Sequence, residues 1–218
     1  VGNAIEKDPA MCGDIYGKLA KMSMDAKKYD KVIAYDEKKK ACATKSFNNN
    51  DYFDLGKAYY FSAGSLMKEV NEQKAILTKA KKPVTPEIKQ KETDASNMYL
   101  KSDSAFKSLT ELNPNWPVGY TWRGRVNSIL DQKIEKDSTK VYYEKVLSTI
   151  KPEEKNTTYK SNALEALEYI GYYYVTKKDK TNADMIFNQI KEMDPSNEKA
   201  KNYFAPPKTS APPKTPGK

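Results

Sequence analysis

Histidine is absent from the 218 residues. That gap removes histidine-based triads, histidine-ligated zinc and the commonest general base. Cysteine is nearly absent. Cys12 and Cys42 stand alone with no CxxC spacing, too few for a four-ligand metal site. They read as two small buried or half-buried residues, with a disulfide between them as the alternative. Glycine is scarce, at nine residues, and no apolar run approaches the length of a membrane span. No signal peptide, phosphate-cradling glycine loop or paired-carboxylate motif is visible. These absences leave no catalytic constellation. They imply a protein that is not an enzyme and holds no cofactor or metal.

What is present is a helix-rich composition, 38% hydrophobic and 31% charged. The net charge is +9, and Lys208, Lys214 and Lys218 supply three of those charges. The excess on the body is diffuse. It favours acidic partners and solubility, and it disfavours nucleic acid, whose footprint needs clustered charge.

A period of 34 residues organises the chain. In residues 164–197, large side chains recur at positions 4 (Leu167), 7 (Ile170) and 11 (Tyr174), with Gly171 at 8. A second stripe holds Ala183 at 20, Phe187 at 24 and Ile190 at 27, and Pro195 ends the unit. Each stripe is one helix face, and proline stops a helix. The pattern recurs in residues 117–152, with Tyr120 and Gly124 at 4 and 8, Arg123 in place of an apolar residue at 7, and two extra residues in the turn. It recurs at 49–114 through Tyr52, Leu55, Gly56, Tyr59, Phe106 and Leu109. It recurs again at 13–46 through Tyr16, Leu19, Ala20 and Val32, where Asp36 breaks the pattern at position 24.

These residues resemble the tetratricopeptide (TPR) repeat at nearly every signature position. The resemblance implies an all-α fold, a right-handed superhelix of antiparallel helix pairs that bury their stripes on one another. Residues 1–11 resemble the tail of an earlier repeat, so the chain reads as part of a longer protein. Residues 62–93 are inserted between the two helices of the second repeat. Leu66, Val70, Leu77 and Ala80 form one stripe, and Ile88, Ala95, Tyr99, Ser102 and Phe106 form another. Thr85 and Pro86 supply an N-cap and a first helical residue. An extended helical hairpin follows, with Gly64 and Ser65 as a candidate kink; an unstructured loop is the alternative. Residues 197–204 read as a short capping helix with a solvated face. The proline- and lysine-rich stretch 205–218 reads as an extended, disordered tail with nothing to bury.

The resemblance further implies a groove lined by first-helix positions 2, 5, 9, 12 and 13. Position 9 reads Lys21, Lys57, Arg125 and Tyr172, a row of three cations able to receive an acidic segment or a terminal carboxylate. Phe53, Tyr60 and Phe61 add apolar anchors beside Lys57. Thr121, Glu165 and Glu168 fall on the same face. Trp116 and Trp122 are expected to pack at a repeat boundary. In "YIGYYY", register gives Tyr174 to the intra-repeat core, Tyr173 to the neighbouring unit, Tyr172 to the groove and Tyr169 to the outer surface. The expected function is a non-enzymatic scaffold or adaptor that binds a protein or peptide, acidic in character. The alternatives are a structural spacer or an oligomerisation domain that uses the hairpin, and, less favoured, a nucleic-acid-binding repeat protein. The wording of the repeats is similar to exported tetratricopeptide proteins of Bacteroidetes-type bacteria, which implies a periplasmic or cell-envelope site.

Overall fold

The computed structural model describes residues 9–42 and 47–205. Among them are ten helices and no strand: α1 (Pro9–Asp25), α2 (Tyr29–Ala41), α3 (Asn49–Lys79), α4 (Pro86–Leu112), α5 (Pro117–Leu130), α6 (Ser138–Thr149), α7 (Pro152–Lys155), α8 (Lys160–Thr176), α9 (Lys180–Met193) and α10 (Glu198–Phe204). The repeat remnant expected at 1–11 falls outside the described residues up to 8, and residues 9–11 belong to the first turn of α1. Of the tail, 206–218 lie outside the described residues.

Helix starts follow local chemistry. Asn48 caps α3 in a capping box with Asp51, whose Oδ2 accepts from the Asn48 N–H at 2.8 Å. Thr85 caps α4 with Pro86 behind it, and Asp179 and Asn197 cap α9 and α10. Helix ends do without glycine. Lys27, Lys81 and Lys178 take left-handed φ values of 54°, 54° and 60° just past α1, α3 and α8. At the last two, the next N–H reaches back to the carbonyl of Leu77 or Tyr174 at 2.9 Å, closing the terminal turn.

Three glycines fix how the pairs cross. A Cβ at Gly56 would lie 2.7 Å from the Phe106 ring, one at Gly124 2.7 Å from the Tyr143 ring, and one at Gly171 3.0 Å from the Phe187 ring. The missing side chain lets each ring of the second helix seat on the backbone of the first. Gly171 and Phe187 are 16 residues apart and Gly124 and Tyr143 are 19, so the third unit carries three extra residues rather than the expected two. In the first unit Ala20 and Asp36 hold the equivalent places, so a carboxylate stands where the others put a ring. Gly124→Ala is expected to overpack Tyr143 and lower stability by about 1–3 kcal/mol. A denaturation midpoint within error of wild type would contradict the ring–glycine seat.

The insertion is a continuation of α3 and α4. α3 runs unbroken through Gly64 and Ser65, where a kink was expected. Its 31 residues span about 46 Å at 1.5 Å each. Ala63, Val70, Ile88, Ala95, Tyr99 and Phe106 are buried between the two arms, whereas Ala80 is exposed and ends the helix. The Ser102 hydroxyl donates to the Gly56 carbonyl at 2.8 Å, which ties the arms together near their base. Lys74–Glu92 and Lys91–Glu69, both at 2.7 Å, tie them farther out.

Candidate partner-binding groove

Trp122 sits at the centre of the first-helix face. It is 9% exposed, stacked on Phe106 at 5.4 Å and edged by Tyr60 at 5.3 Å, Phe61 at 6.0 Å and Phe53 at 6.2 Å. Trp116 lies 5.3 Å from Phe53. Both tryptophans therefore join α3, α4 and α5 at a repeat boundary, as their spacing suggests. Phe53, Tyr60 and Phe61 are half-buried, so the rings expected as free anchors are largely spent on one another.

The cation row does not stand as expected. Arg125 lies over the Trp122 ring at 4.6 Å, and its Nε and Nη2 donate to the two Glu165 oxygens at 2.8 and 2.6 Å. Those bonds raise the Arg125 pKa further. The Tyr143 hydroxyl donates to the same carboxylate at 3.1 Å, and burial, then Glu165, pushes that phenol up. Arg125 is a closed bidentate pair across the third and fourth repeats, not a receptor awaiting a carboxylate. Lys57 sits over Phe53 at 4.8 Å, with its ammonium 3.9 Å from Asp54. Burial pushes the Asp54 carboxyl up, and Lys57 and the exposed Lys21 oppose that rise. The structure thus brings Phe53, Lys57, Tyr60, Phe61 and Arg125 to one aromatic cluster. It places Lys21 at the edge of that cluster and Tyr172 at the far end of the chain.

Thr121 and Tyr169 stand elsewhere than expected, and Arg123 shows what its misfit does. Thr121 is fully buried; its hydroxyl donates to the Pro117 carbonyl at 3.1 Å and accepts from Asn162 at 3.0 Å. Arg123, the misfit at position 7, grips Asp103 through Nε and Nη2 at 3.0 and 3.2 Å and donates to the Tyr142 hydroxyl at 2.7 Å. An ion pair there replaces an apolar contact. Tyr169 does not face outward. Its ring lies 4.9 Å from Tyr143, and its hydroxyl is buried beside Thr139. Position 6 reaches back to the preceding repeat, as Trp122 does from the same position.

The other tyrosines of the run follow register. Tyr173 is buried against α6, donating to Asp137 at 2.6 Å. Tyr174 is half-buried against the last core cluster. Tyr172 is 57% exposed and Val175 42%. They open onto a cleft of about 560 Å³ whose inner wall is Tyr169, Phe187 and Tyr203. Lys199 and Asn197, which open α10, hold Glu168 at its rim at 2.6 and 2.7 Å. Tyr203 stacks on Phe187 at 4.1 Å, so α10 covers the last core rather than merely solvating it. The α10 wall lies beyond the fourth repeat, where no first-helix position points to it.

The two cysteines form a disulfide, Cys12–Cys42, which links the start of α1 to the end of α2. No group of metal-binding side chains occurs among the described residues, and none of their helices is long and apolar enough to cross a membrane.

No family model matches the sequence, and no curated protein matches it. Several solved structures do resemble it, among them the following two. One is the C-terminal part of a TPR repeat-containing protein from Cytophaga hutchinsonii, 27% identical with a TM-score of 0.66. That likeness covers 94% of this chain and 64% of the other, so the chain spans under two thirds of that relative. The second is YrrB, described as a TPR protein with an unusual peptide-binding site, 14% identical with a TM-score of 0.42, covering 93% of this chain and 96% of that one. The glycine–ring seats, the succession of helix pairs and the Cytophaga likeness agree: the chain has the tetratricopeptide-repeat fold.

Proposed function

We propose that the protein is a non-enzymatic scaffold whose first-helix groove binds a segment of a partner protein, with one apolar side chain seated in the cleft beside Tyr172. Tetratricopeptide proteins serve generally as interaction scaffolds. The carrying observation is the exposure of Tyr172 and Val175 at the mouth of a cleft of about 560 Å³ walled by aromatic rings. Exposed apolar side chains around a concave site mark binding surfaces. With Arg125 neutralised by Glu165, this end of the groove suits an apolar or aromatic anchor better than a carboxylate. The Cys12–Cys42 bond supports an oxidising compartment, such as a periplasm or cell envelope.

Peptides selected from a random library against the intact protein test the reading. The enriched sequences are expected to share one large apolar residue, and Tyr172→Ser is expected to weaken them by roughly tenfold or more, as loss of an aromatic anchor does. Enrichment of peptides indifferent to Tyr172→Ser and Val175→Ser would overturn it.

A further inference from the structure

A second cleft, of about 510 Å³, lies away from the groove. Its floor is Tyr52 and Tyr59 of α3, one wall is Glu37 and Lys40 of α2, and the other is Lys101, Ser104 and Ser108 of α4. The Lys40 ammonium sits 5.9 Å from the Tyr52 ring, and the Lys101 ammonium 5.6 Å from the Tyr59 ring. Both cations meet rings rather than carboxylates, in contrast to Arg123, Arg125 and Lys39. Among the described residues, Ser96, Ser128 and Ser148 return their hydroxyls to their own helix, whereas Ser104 and Ser108 have no such bond. The cleft therefore offers two cations and two hydroxyl donors to a ligand.

We propose that this cleft, independently of the groove, binds an acidic peptide segment in an extended polyproline-II form, with carboxylates three residues apart on Lys40 and Lys101. The spacing comes from the floor. Tyr52 and Tyr59 are two helical turns apart, about 10.5 Å along α3. A polyproline-II strand rises about 3.1 Å per residue and repeats its face every three, so acids at i and i+3 stand about 9.3 Å apart on one side. A β-strand puts i and i+3 on opposite faces and does not match. Glu37 sets the direction of approach. Its carboxylate accepts from the Tyr59 hydroxyl at 3.1 Å and puts a negative charge on the α2 wall at that end, so the acid paired with Lys101 is placed on the opposite, α4 wall.

The probe is the capped hexapeptide Glu-Pro-Pro-Glu-Pro-Pro, titrated into the isotopically labelled full chain and followed by amide shifts. Shifts are expected on Lys40, Lys101, Ser104 and Ser108 and are expected to fade with salt. Affinity should fall roughly tenfold in Lys40→Gln/Lys101→Gln, the loss of two exposed ion pairs. Both lysines are exposed, so an unchanged melting curve is expected and separates lost binding from lost fold. Three results would each overturn the assignment: equal binding of Gln-Pro-Pro-Gln-Pro-Pro, shifts centred on Lys21 and Lys57, or no shifts at millimolar peptide. Persistence of the shifts in Tyr172→Ser keeps this site separate from the groove, and their loss there would merge the two and reject it.

Discussion

Asp36→Asn is expected to stabilise the protein by about 2–4 kcal/mol at pH 8 and to change little at pH 4. Asp36 is 1% exposed, on the same face of α2 as Val32 and Lys39, and its Oδ2 has no hydrogen-bond partner. Burial, then Asp51 and Asp54 across the interface in α3, pushes its pKa from 3.8 up to about 7; Lys39 opposes the shift and Glu37 adds to it. Lys39 offsets the charge only in part, because both Asp51 oxygens hold it at 2.8 Å. The folded state therefore binds the Asp36 proton more tightly than the unfolded chain. Stability from this group is full below pH 4, falls between pH 4 and 7 as only the unfolded chain gives up its proton, and stays low above that. Asparagine keeps the shape without the charge, so the variant should lack this slope. Superimposable pH–stability curves for wild type and variant would reject a buried, destabilised carboxylate. The difference between the two curves isolates Asp36 from Asp54, whose carboxyl is also raised.

The first repeat shows where sequence reading stops. That Asp36 breaks the pattern at position 24 is plain from the period alone. That the helix nevertheless buries the position is a tertiary fact: Ala20 keeps the crossing close, and α2 is held between α1 and α3. Local signals served well elsewhere. The second hairpin stripe, Ile88 to Phe106, is buried at every residue named, and Thr85 caps its helix. Pairing across repeats was out of reach. Glu165 lies 40 residues from Arg125, and no helical period links them. A row of cations in register therefore looked free when one member was bidentately closed. Tyr169 was misplaced for a different reason. Its position is the one Trp122 holds a repeat earlier, and both side chains turn inward to the preceding unit.

Reduction of Cys12–Cys42 is expected to lower the stability of the first helix pair by about 3–4 kcal/mol. The bond closes a loop with a separation of 30 residues, and a cross-link of that length removes entropy of that order from the unfolded chain. The core it belongs to is thin. Among the described residues, Cys12, Tyr16 and Cys42 are its buried members, with Leu19 and Tyr35 packed against them. With so few buried side chains to hold it, this pair should respond before the rest. Denaturant melts with and without reductant, read with amide exchange in α1 and α2, test the expectation. Equal midpoints and unchanged protection in those helices would refute it. The same measurement in Asp36→Asn separates two mechanisms. If the disulfide acts through the unfolded chain, reduction costs the same in both backgrounds, and the two effects add to within about 0.5 kcal/mol. If it acts by forcing α2 to accept a charge it would otherwise expel, removing the charge shrinks the cost of reduction. Unfolded-state entropy requires the first result, because Asp36 and the cross-link then bear on different ends of the folding equilibrium.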